Sequence, residues 1–163
     1  MEIKMSTKMA ESKLAVILVR GTVNTHPDVR KTLDLLRLRK KHACVVVDDN
    51  QVNKGMLQKV KDYVTYGTID EAAFAELVAK RGELVGQEKV ADSKVDSKKV
   101  AKEYFEGKLK LREFTEKYNL KPFFRLHPPK GGFERGGIKM PFAKGGVLGN
   151  RADRVNELIV KML

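Results

Sequence analysis

The basic residues near the carboxyl end of the chain are spaced along a segment rich in glycine and proline. Residues 125 to 150 hold seven of the thirteen glycines and three of the five prolines. Between residues 125 and 151 the one acid is Glu134, and the cations are Arg125, Lys130, Arg135, Lys139, Lys144 and Arg151. Cations at such intervals suit the phosphates of a nucleic-acid backbone, because each can neutralise one phosphate and release condensed counterions. The spacing therefore predicts a track that binds a polyanion.

The track lies in a predicted connection without regular structure, residues 128 to 150. Connections of this length are usually functional or disordered. The pair Gly131 and Gly132 lets the backbone approach a surface closely. Apolar residues such as Phe133 and Phe142 are typical of a segment that becomes ordered by a partner. The alternative is a basic loop that has no order of its own.

Residues 123 to 127, FFRLH, alternate in a way that predicts a strand leading into this segment. Phe124 and Leu126 would face one side, and Phe123, Arg125 and His127 the other. A nucleic-acid base could stack on the aromatic ring or on the guanidinium of this second side. For Phe123 and His127 taken singly, ordinary packing and a polar turn are the simpler interpretations.

Four further cations could extend this basic edge. Arg20 ends the first predicted strand, and Lys54, Lys59 and Lys61 lie on the second predicted helix. Lysines on a helix usually mark only a face in contact with water, so Arg20 is the stronger of these candidates.

No arrangement of side chains in the sequence predicts catalysis, a metal site or a cofactor. His26, His42 and His127 are far apart and lack the spacing of metal ligands. Asp48 follows a strand and is more typical of a polar turn than of a cation site. The glycine-rich stretches do not match a phosphate-binding loop or a dinucleotide fingerprint. The single cysteine, Cys44, lies among valines and is predicted to be a buried, unreactive side chain.

The bulk composition agrees with a folded protein attracted to nucleic acid. The chain has 163 residues, a net charge of +12 and a pI near 9.8. A charge of this sign and size favours a polyanionic partner. The longest apolar run, LAVILV, is far too short to span a bilayer, and the first residues lack the apolar core of a signal peptide. We expect a reducing cytoplasm and no membrane contact.

Hydrophobic periodicity predicts an alternation of strands and helices. Strands are predicted at 14–20, 43–48 and 123–127. Helices are predicted at about 27–38, from a cap at Asn53 to Gly67, from the TIDE motif at 68–71 to residue 81, at 97–106, at 111–118 and at the end of the chain, where Val155, Leu158, Ile159 and Met162 form an apolar stripe. Residues 83 to 95 are predicted to be a linker.

This order predicts an α+β fold, a split β-α-β or ferredoxin-like arrangement with three strands and helices packed on one face. The other face of the sheet would stay open. The predicted units are a short N-terminal segment, 1–13, a core, 14–127, with a helical insertion at about 68–121, and a basic glycine-rich loop with its closing helix, 128–163.

Long stretches of the sequence resemble a known family. The first is LAVILVRGTVNTHPDVRKTLDLLRLRKKHACVVVDDNQVNKGMLQKVKDYVTYG, followed by FFRLHPPKGGF and IKMPFAKGGVLGN. They are similar to the large-subunit ribosomal protein L-thirty family, whose eukaryotic counterpart is L-seven. The chain resembles the archaeal type, because the short bacterial forms lack the region after the second helix and MEIKMSTKMAES is unlike the long basic extension of the eukaryotic forms.

The resemblance implies a structural, non-catalytic ribosomal component without a cofactor. The implied partners are the large-subunit ribosomal RNA, the 5S RNA and neighbouring ribosomal proteins. The candidate RNA-binding residues are Arg20, Lys54, Lys59, Arg125, His127, Lys130, Gly131, Gly132, Arg135, Lys139, Lys144 and Arg151.

Two alternatives remain open from the residues alone. One is a small-ligand-binding or enzymatic domain of the same fold, with the glycine-rich loop closing over a phosphorylated ligand. The other is an RNA chaperone that acts outside the ribosome.

Overall fold

The computed structural model describes residues 12–86, 89–90, 95–111 and 113–163, and the predicted N-terminal segment lies almost wholly outside them. The strands are β1 (Lys13–Leu18), β2 (Ala43–Asp48), β3 (Val64–Thr68), β4 (Phe124–Arg125) and β5 (Gly149–Asn150). The helices are α1 (Pro27–Leu35), α2 (Gln51–Val60), α3 (Glu71–Arg81), α4 (Ser97–Phe105), α5 (Glu113–Tyr118) and α6 (Val155–Met162). The predicted α+β class is confirmed. Within the described ranges, none of these helices is long and apolar enough to cross a membrane.

The strands form one sheet in the order β4-β2-β1-β3-β5. β1 is antiparallel to both β2 and β3, so β2 and β3 run parallel with β1 inserted between them and α2 as their crossover. This is the predicted split β-α-β arrangement. The predicted number of three strands was too low, because β3 was assigned to a helix and β5 lies in the segment expected to have no regular structure.

Helices cover both faces of the sheet, so the prediction of one helical layer and one open face was wrong. Ala15 and Ile17 of β1 pack in a core with α3, α4, α5 and α6. Leu14, Val16 and Leu18 point the other way, into a core with α1 and α2. Because successive side chains of a strand face opposite sides, a strand that is apolar at every position needs a helical layer on each.

The second predicted helix is shorter than expected, and a strand follows it. α2 ends at Val60, and Val64 begins β3. The β-branched and aromatic residues from 64 to 66 favour a strand over a fourth helical turn. Gly67 is therefore not a helix cap. A Cβ on Gly67 would lie 2.0 Å from the backbone oxygen of Ala152, so this glycine permits a close backbone crossing.

The TIDE motif is not a capping box. Thr68 is the last residue of β3, and its hydroxyl donates a hydrogen bond to Asp153, whereas a capping hydroxyl would accept one from a backbone N–H of the following helix. Asp70 precedes the first turn of α3. The helix itself was predicted, as were α1, α4, α5 and α6. The predicted apolar stripe of α6, from Val155 to Met162, is buried.

The predicted linker, residues 83 to 95, contributes to the fold where the structure describes it. Leu84 forms a bridge with Leu120, and Val90 is buried in the core. Residues 87–88 and 91–94 lie outside the described residues.

The glycine-rich segment is folded against one end of the sheet, contrary to the expectation that a partner orders it. Within it, Phe142 N–H donates to the Leu148 carbonyl at 2.8 Å, and Gly136 N–H donates to the Gly145 carbonyl at 3.0 Å. Val147 and Leu148 are buried with Val19, and Phe133 and Ile138 pack against them. A short 3₁₀ turn, Phe142–Lys144, and β5 supply its regular structure.

Candidate nucleic-acid interface

One end of the sheet gathers turns from far-apart parts of the chain. Leu18, which ends β1, lies opposite Val64, which begins β3, and Ala43, which begins β2, pairs with Arg125 of β4. The turns at this end carry the cations Arg20, Lys40, Lys41 and Lys61, and Arg125 ends β4 beside them. The folded segment across it adds Lys130, Arg135, Lys139 and Lys144, all exposed. We call these nine residues the basic end.

Arg20 is held in place by the protein itself. Its Nη1 donates to the Asp62 carbonyl at 3.2 Å, and its guanidinium lies 5.1 Å from the centre of the Tyr63 ring. Arg20, Lys61 and Lys139 line one groove of about 520 Å³. The structure thus brings together cations from three different segments of the chain.

The beginning of the glycine-rich segment is tied to the end of α6. His127 N–H donates to the Met162 carbonyl at 3.0 Å, and Lys130 N–H donates to the Lys161 carbonyl at 2.8 Å. Gly131 and Gly132 have φ values of 81° and 79°, which L side chains rarely adopt. The side chains of His127 and Lys130 are exposed. These predicted site residues are accessible and their backbone is fixed.

Arg151 is a predicted site residue that the structure places inside the protein. Its side chain is 2% exposed and forms a bidentate ion pair with Glu134, with Nη1–Oε1 and Nη2–Oε2 distances of 2.8 and 3.2 Å. Its Nε donates to Thr65 Oγ1 at 2.9 Å, and Nη2 also donates to the Val147 carbonyl. These N–H donors of Arg151 are thus used within the fold, where they join the glycine-rich segment to β3. Arg151 does not belong to the basic end.

The same ion pair sets the charge state of Glu134. Burial acts to raise the pKa of this carboxyl, but the hydrogen bonds and charge of Arg151 outweigh burial and hold the pKa below its ordinary value. Glu134 is therefore ionised at neutral pH, and the charge of Arg151 compensates it. The single acid of the segment does not oppose the binding of an anion by the surrounding cations.

The two lysines predicted on the second helix differ in position. Lys54 lies in the first turns of α2, at the opposite end of the sheet, and its Nζ is 2.8 Å from Asp49 Oδ1. Asp48, the last residue of β2, pairs with Lys13, so both aspartates have partners within the protein and form a polar strand end. The pair with Asp49 places Lys54 away from the basic end. Lys59 is exposed in the last turn of α2, which leads towards the basic end.

Sequence reasoning missed the contribution of the turn before β2. Lys40 and Lys41 lie in the run RLRKKH, and neither was among the predicted RNA-binding residues. A Cβ on Gly21 would lie 3.4 Å from Lys41 Cε, so this lysine reaches the turn that carries Arg20. The neighbouring His42 stacks on Phe133 with 6.1 Å between ring centres. Burial and the charge of Lys41 lower the pKa of His42, so the ring is neutral at pH 7.

The titratable groups offer no catalytic cluster in the part of the chain that the structure describes. Cys44 is buried in β2, and burial raises the pKa of its thiol to about 12. In the same ranges, no three His, Cys, Asp or Glu side chains are grouped so that they could hold a metal ion.

Fold and surface together define a small α+β protein of the split β-α-β type with a preformed cationic end. Comparison with known proteins agrees. The family model described as "Ribosomal protein L30p/L7e" matches residues 14–64. The protein named "Large ribosomal subunit protein uL30" of Methanococcus vannielii is 41% identical over 157 residues, which cover 91% of this chain and 98% of that protein.

Two more relatives carry the same name. The protein of Staphylothermus marinus is 44% identical over 161 residues, covering 91% of this chain and 97% of its own length. The protein of Methanopyrus kandleri is 42% identical over 152 residues, which cover 89% of this chain and 100% of that protein. The chain therefore belongs to the ribosomal protein L30p/L7e family. The resemblance and its archaeal type are confirmed, and the enzymatic alternative is wrong because this family is structural.

Proposed function

We propose that the chain is a structural constituent of the large ribosomal subunit in the cytoplasm and that it binds ribosomal RNA through the basic end. The relatives are named as proteins of that subunit. The observation that carries the RNA-binding step is the convergence of exposed cations from several turns at one end of the sheet, while Glu134 is neutralised internally by Arg151.

Binding in this proposal is mainly recognition of RNA shape. Side chains cannot read base edges in the deep, narrow groove of an A-form helix, whereas phosphates and 2′-hydroxyls are accessible. Arg20 is already oriented by Asp62 and Tyr63, and the glycine-rich segment is already folded. Less conformational entropy is therefore lost on binding than a disordered loop would lose. Contacts with the 5S RNA and with neighbouring ribosomal proteins are further expectations of this proposal.

The structure also determines how the proposal should be tested. Replacing the whole segment 128–150 would remove Val147 and Leu148 from the core and the partner of Arg151, so a loss of binding could reflect misfolding. Substituting exposed cations avoids this problem. The test variant is R135A/K139A/K144A, and the control is K98A/K99A/K102A, which removes the same charge from the groove between α3 and α4.

Binding of the three proteins to purified large-subunit RNA is measured across a salt series. For the intact chain we expect a steep slope of log K against log salt, because each neutralised phosphate contributes about 0.7 to 0.9. The slope of the test variant should be shallower by the equivalent of about two to three phosphate contacts, and the control variant should keep the slope of the intact chain. Equal slopes for test and control variants would contradict the proposed RNA contact, as would a flat salt response of the intact chain.

A further inference from the structure

A cleft of about 500 Å³ lies at the outer edge of the sheet, beside the basic end. Ala43 of β2 and Arg125 of β4 are register partners, so the cleft opens where the edge strand meets the turn before β2. Its lining residues come from two segments: Arg37, Arg39, Lys40, Ala43, Pro122, Phe123 and Arg125.

The lining of the cleft combines apolar and basic side chains. Ala43, Pro122 and Phe123 are its apolar lining, and the other lining residues are basic. No acidic residue of the described chain is part of this lining. A volume of this size accommodates a small organic ligand, and the mixture of an aromatic ring with several cations suits one that carries both a flat ring and negative charge.

Phe123 and Arg125 are positioned by the fold. Phe123 is half-buried and packs against the core beneath α1 and α2. The guanidinium carbon of Arg125 lies 5.9 Å from the centre of its ring. The guanidinium thus lies over the ring, and a planar ligand in the cleft would contact the ring, the guanidinium or both. Both are surfaces on which nucleobases stack.

The cations that the segment between α1 and β2 contributes to the cleft are also positioned by the backbone. Arg37 has a φ of 61°, and its N–H donates to the Asp34 carbonyl at 3.0 Å, which ends α1 in a tight turn. Arg39 Nε is 3.7 Å from Asp34 Oδ1, an exposed pair that contributes little energy and leaves the guanidinium available. Lys40 and Arg125 themselves belong to the basic end, so the cleft and that surface are continuous.

We propose that this cleft holds an unstacked nucleotide of single-stranded RNA, with the base against Phe123 and Arg125 and the flanking phosphates on Arg37, Arg39 and Lys40. The inference rests on the proposed RNA binding and deepens it, because it assigns a loop or junction nucleotide to one place on the protein. A free mononucleotide shares this chemistry. The strand is favoured because two cations of the lining, Lys40 and Arg125, are shared with the basic end, so successive phosphates would find cations on both surfaces.

The test uses the intact chain and two matched oligonucleotides. Each is a short single-stranded RNA, one with 2-aminopurine at its centre and one with an abasic site there, so that the phosphates are identical and only the base differs. We expect the base to strengthen binding about 5- to 30-fold, within the range that base–aromatic stacking contributes. We also expect quenching of 2-aminopurine fluorescence on binding. Equal affinity for the two oligonucleotides, without quenching, overturns the inference.

Two variants and a mononucleotide complete the test. F123L should lose the preference for the base while keeping the salt slope, and F105L is the control because it makes the same change at a half-buried aromatic residue in the other core. Adenosine monophosphate should compete weakly. If adenosine monophosphate competes as strongly as unlabelled oligonucleotide at the same concentration of phosphate groups, the assignment to an RNA strand is overturned.

The outcomes separate this inference from the proposed function. If the abasic oligonucleotide binds as well as the other while large-subunit RNA retains its steep salt slope, the cleft inference fails and the proposed function stands. If the preference for the base persists but large-subunit RNA shows no salt-dependent binding, the proposed function fails and the nucleotide cleft is supported.

Discussion

The ion pair between Arg151 and Glu134 should stabilise the whole glycine-rich segment. The perturbations are R151M, which keeps an apolar stem of similar length, and E134Q, which keeps the shape of the acid without its charge. Arg151 joins the segment to β3 through Thr65 and to Val147 as well as to Glu134. Its loss removes four hydrogen bonds at one buried position.

The magnitude follows from burial. Breaking a buried ion pair by removing one partner costs about 3–5 kcal/mol, because the remaining charge or polar group is left without compensation. The Arg151 side chain is 2% exposed, whereas that of Glu134 is 34% exposed and can recover some hydration. R151M leaves Glu134, which can rehydrate, but removes all four hydrogen bonds, whereas E134Q leaves the buried guanidinium without a counter-charge but keeps its bonds to Thr65 and Val147. We therefore expect each change to lower the free energy of unfolding by about 3–5 kcal/mol. Such a loss is large against a total of roughly 5–15 kcal/mol.

The assay is urea denaturation followed by circular dichroism at pH 7. The matched control is K80M, which removes one partner of the Lys80–Glu76 pair; both side chains of that pair are more than half exposed. An exposed pair of this kind contributes about 0–1 kcal/mol. If R151M shifts the free energy of unfolding no more than K80M does, the reasoning about the buried pair is refuted.

The pair also predicts an acid dependence of stability. The pKa of Glu134 is lower in the folded protein than its ordinary value, so its contribution is fully present above the unfolded pKa, about 4.3. The contribution is lost as the pH falls from there through the lower folded pKa. The stability difference between the intact chain and E134Q should therefore shrink in acid. A difference that stays constant from pH 7 to pH 3 would contradict the assignment.

Two further predictions concern positions at the centre of the sheet. G67A should lower the free energy of unfolding by about 3 kcal/mol, because its Cβ would meet the Ala152 carbonyl at 2.0 Å, whereas G55A, with no atom within 4 Å, should be neutral or stabilising in its helix. Denaturation curves of the two variants check this, and equal losses would contradict it. Cys44 should resist alkylation at pH 8 in the native state and react on unfolding, because its thiol is buried with a pKa raised to about 12. Rapid native labelling, measured by mass spectrometry, would refute its burial.

Local sequence patterns predicted most of the helices and strands. They did not predict elements such as β3, which form only by pairing with a distant segment of the chain. The apolar runs of β1 and β2 and the apolar stripe of α6 were sufficient to predict these three elements, because a segment with such a pattern has few alternative structures. Val64 continued the helical stripe of α2 and was assigned to it. It lies in β3 instead, because pairing with β1 satisfies the backbone of residues 64 to 68. A single-sequence pattern does not contain that pairing.

In the candidate site, too, some residues follow the sequence pattern and others depend on tertiary contacts. The exposure of Lys130, Arg135, Lys139 and Lys144 agrees with a basic track in a glycine-rich segment. Arg151 belongs to the same sequence pattern, but it is buried because Glu134 and Thr65 converge on it. Spacing alone cannot distinguish a cation that faces solvent from one that pairs within the fold.

The sequence by itself determined the fold class, the family and the excess of positive charge, since each of these depends on residue types and local order. Tertiary structure alone decided where that charge lies. Antiparallel pairing around β1 and between β2 and β4 brings Arg125 and the turns that carry Arg20 and Lys61 to one end of the sheet, and it places Lys54 at the other. The physical reason is that strand direction and register, set by contacts between distant segments, fix which turns become neighbours.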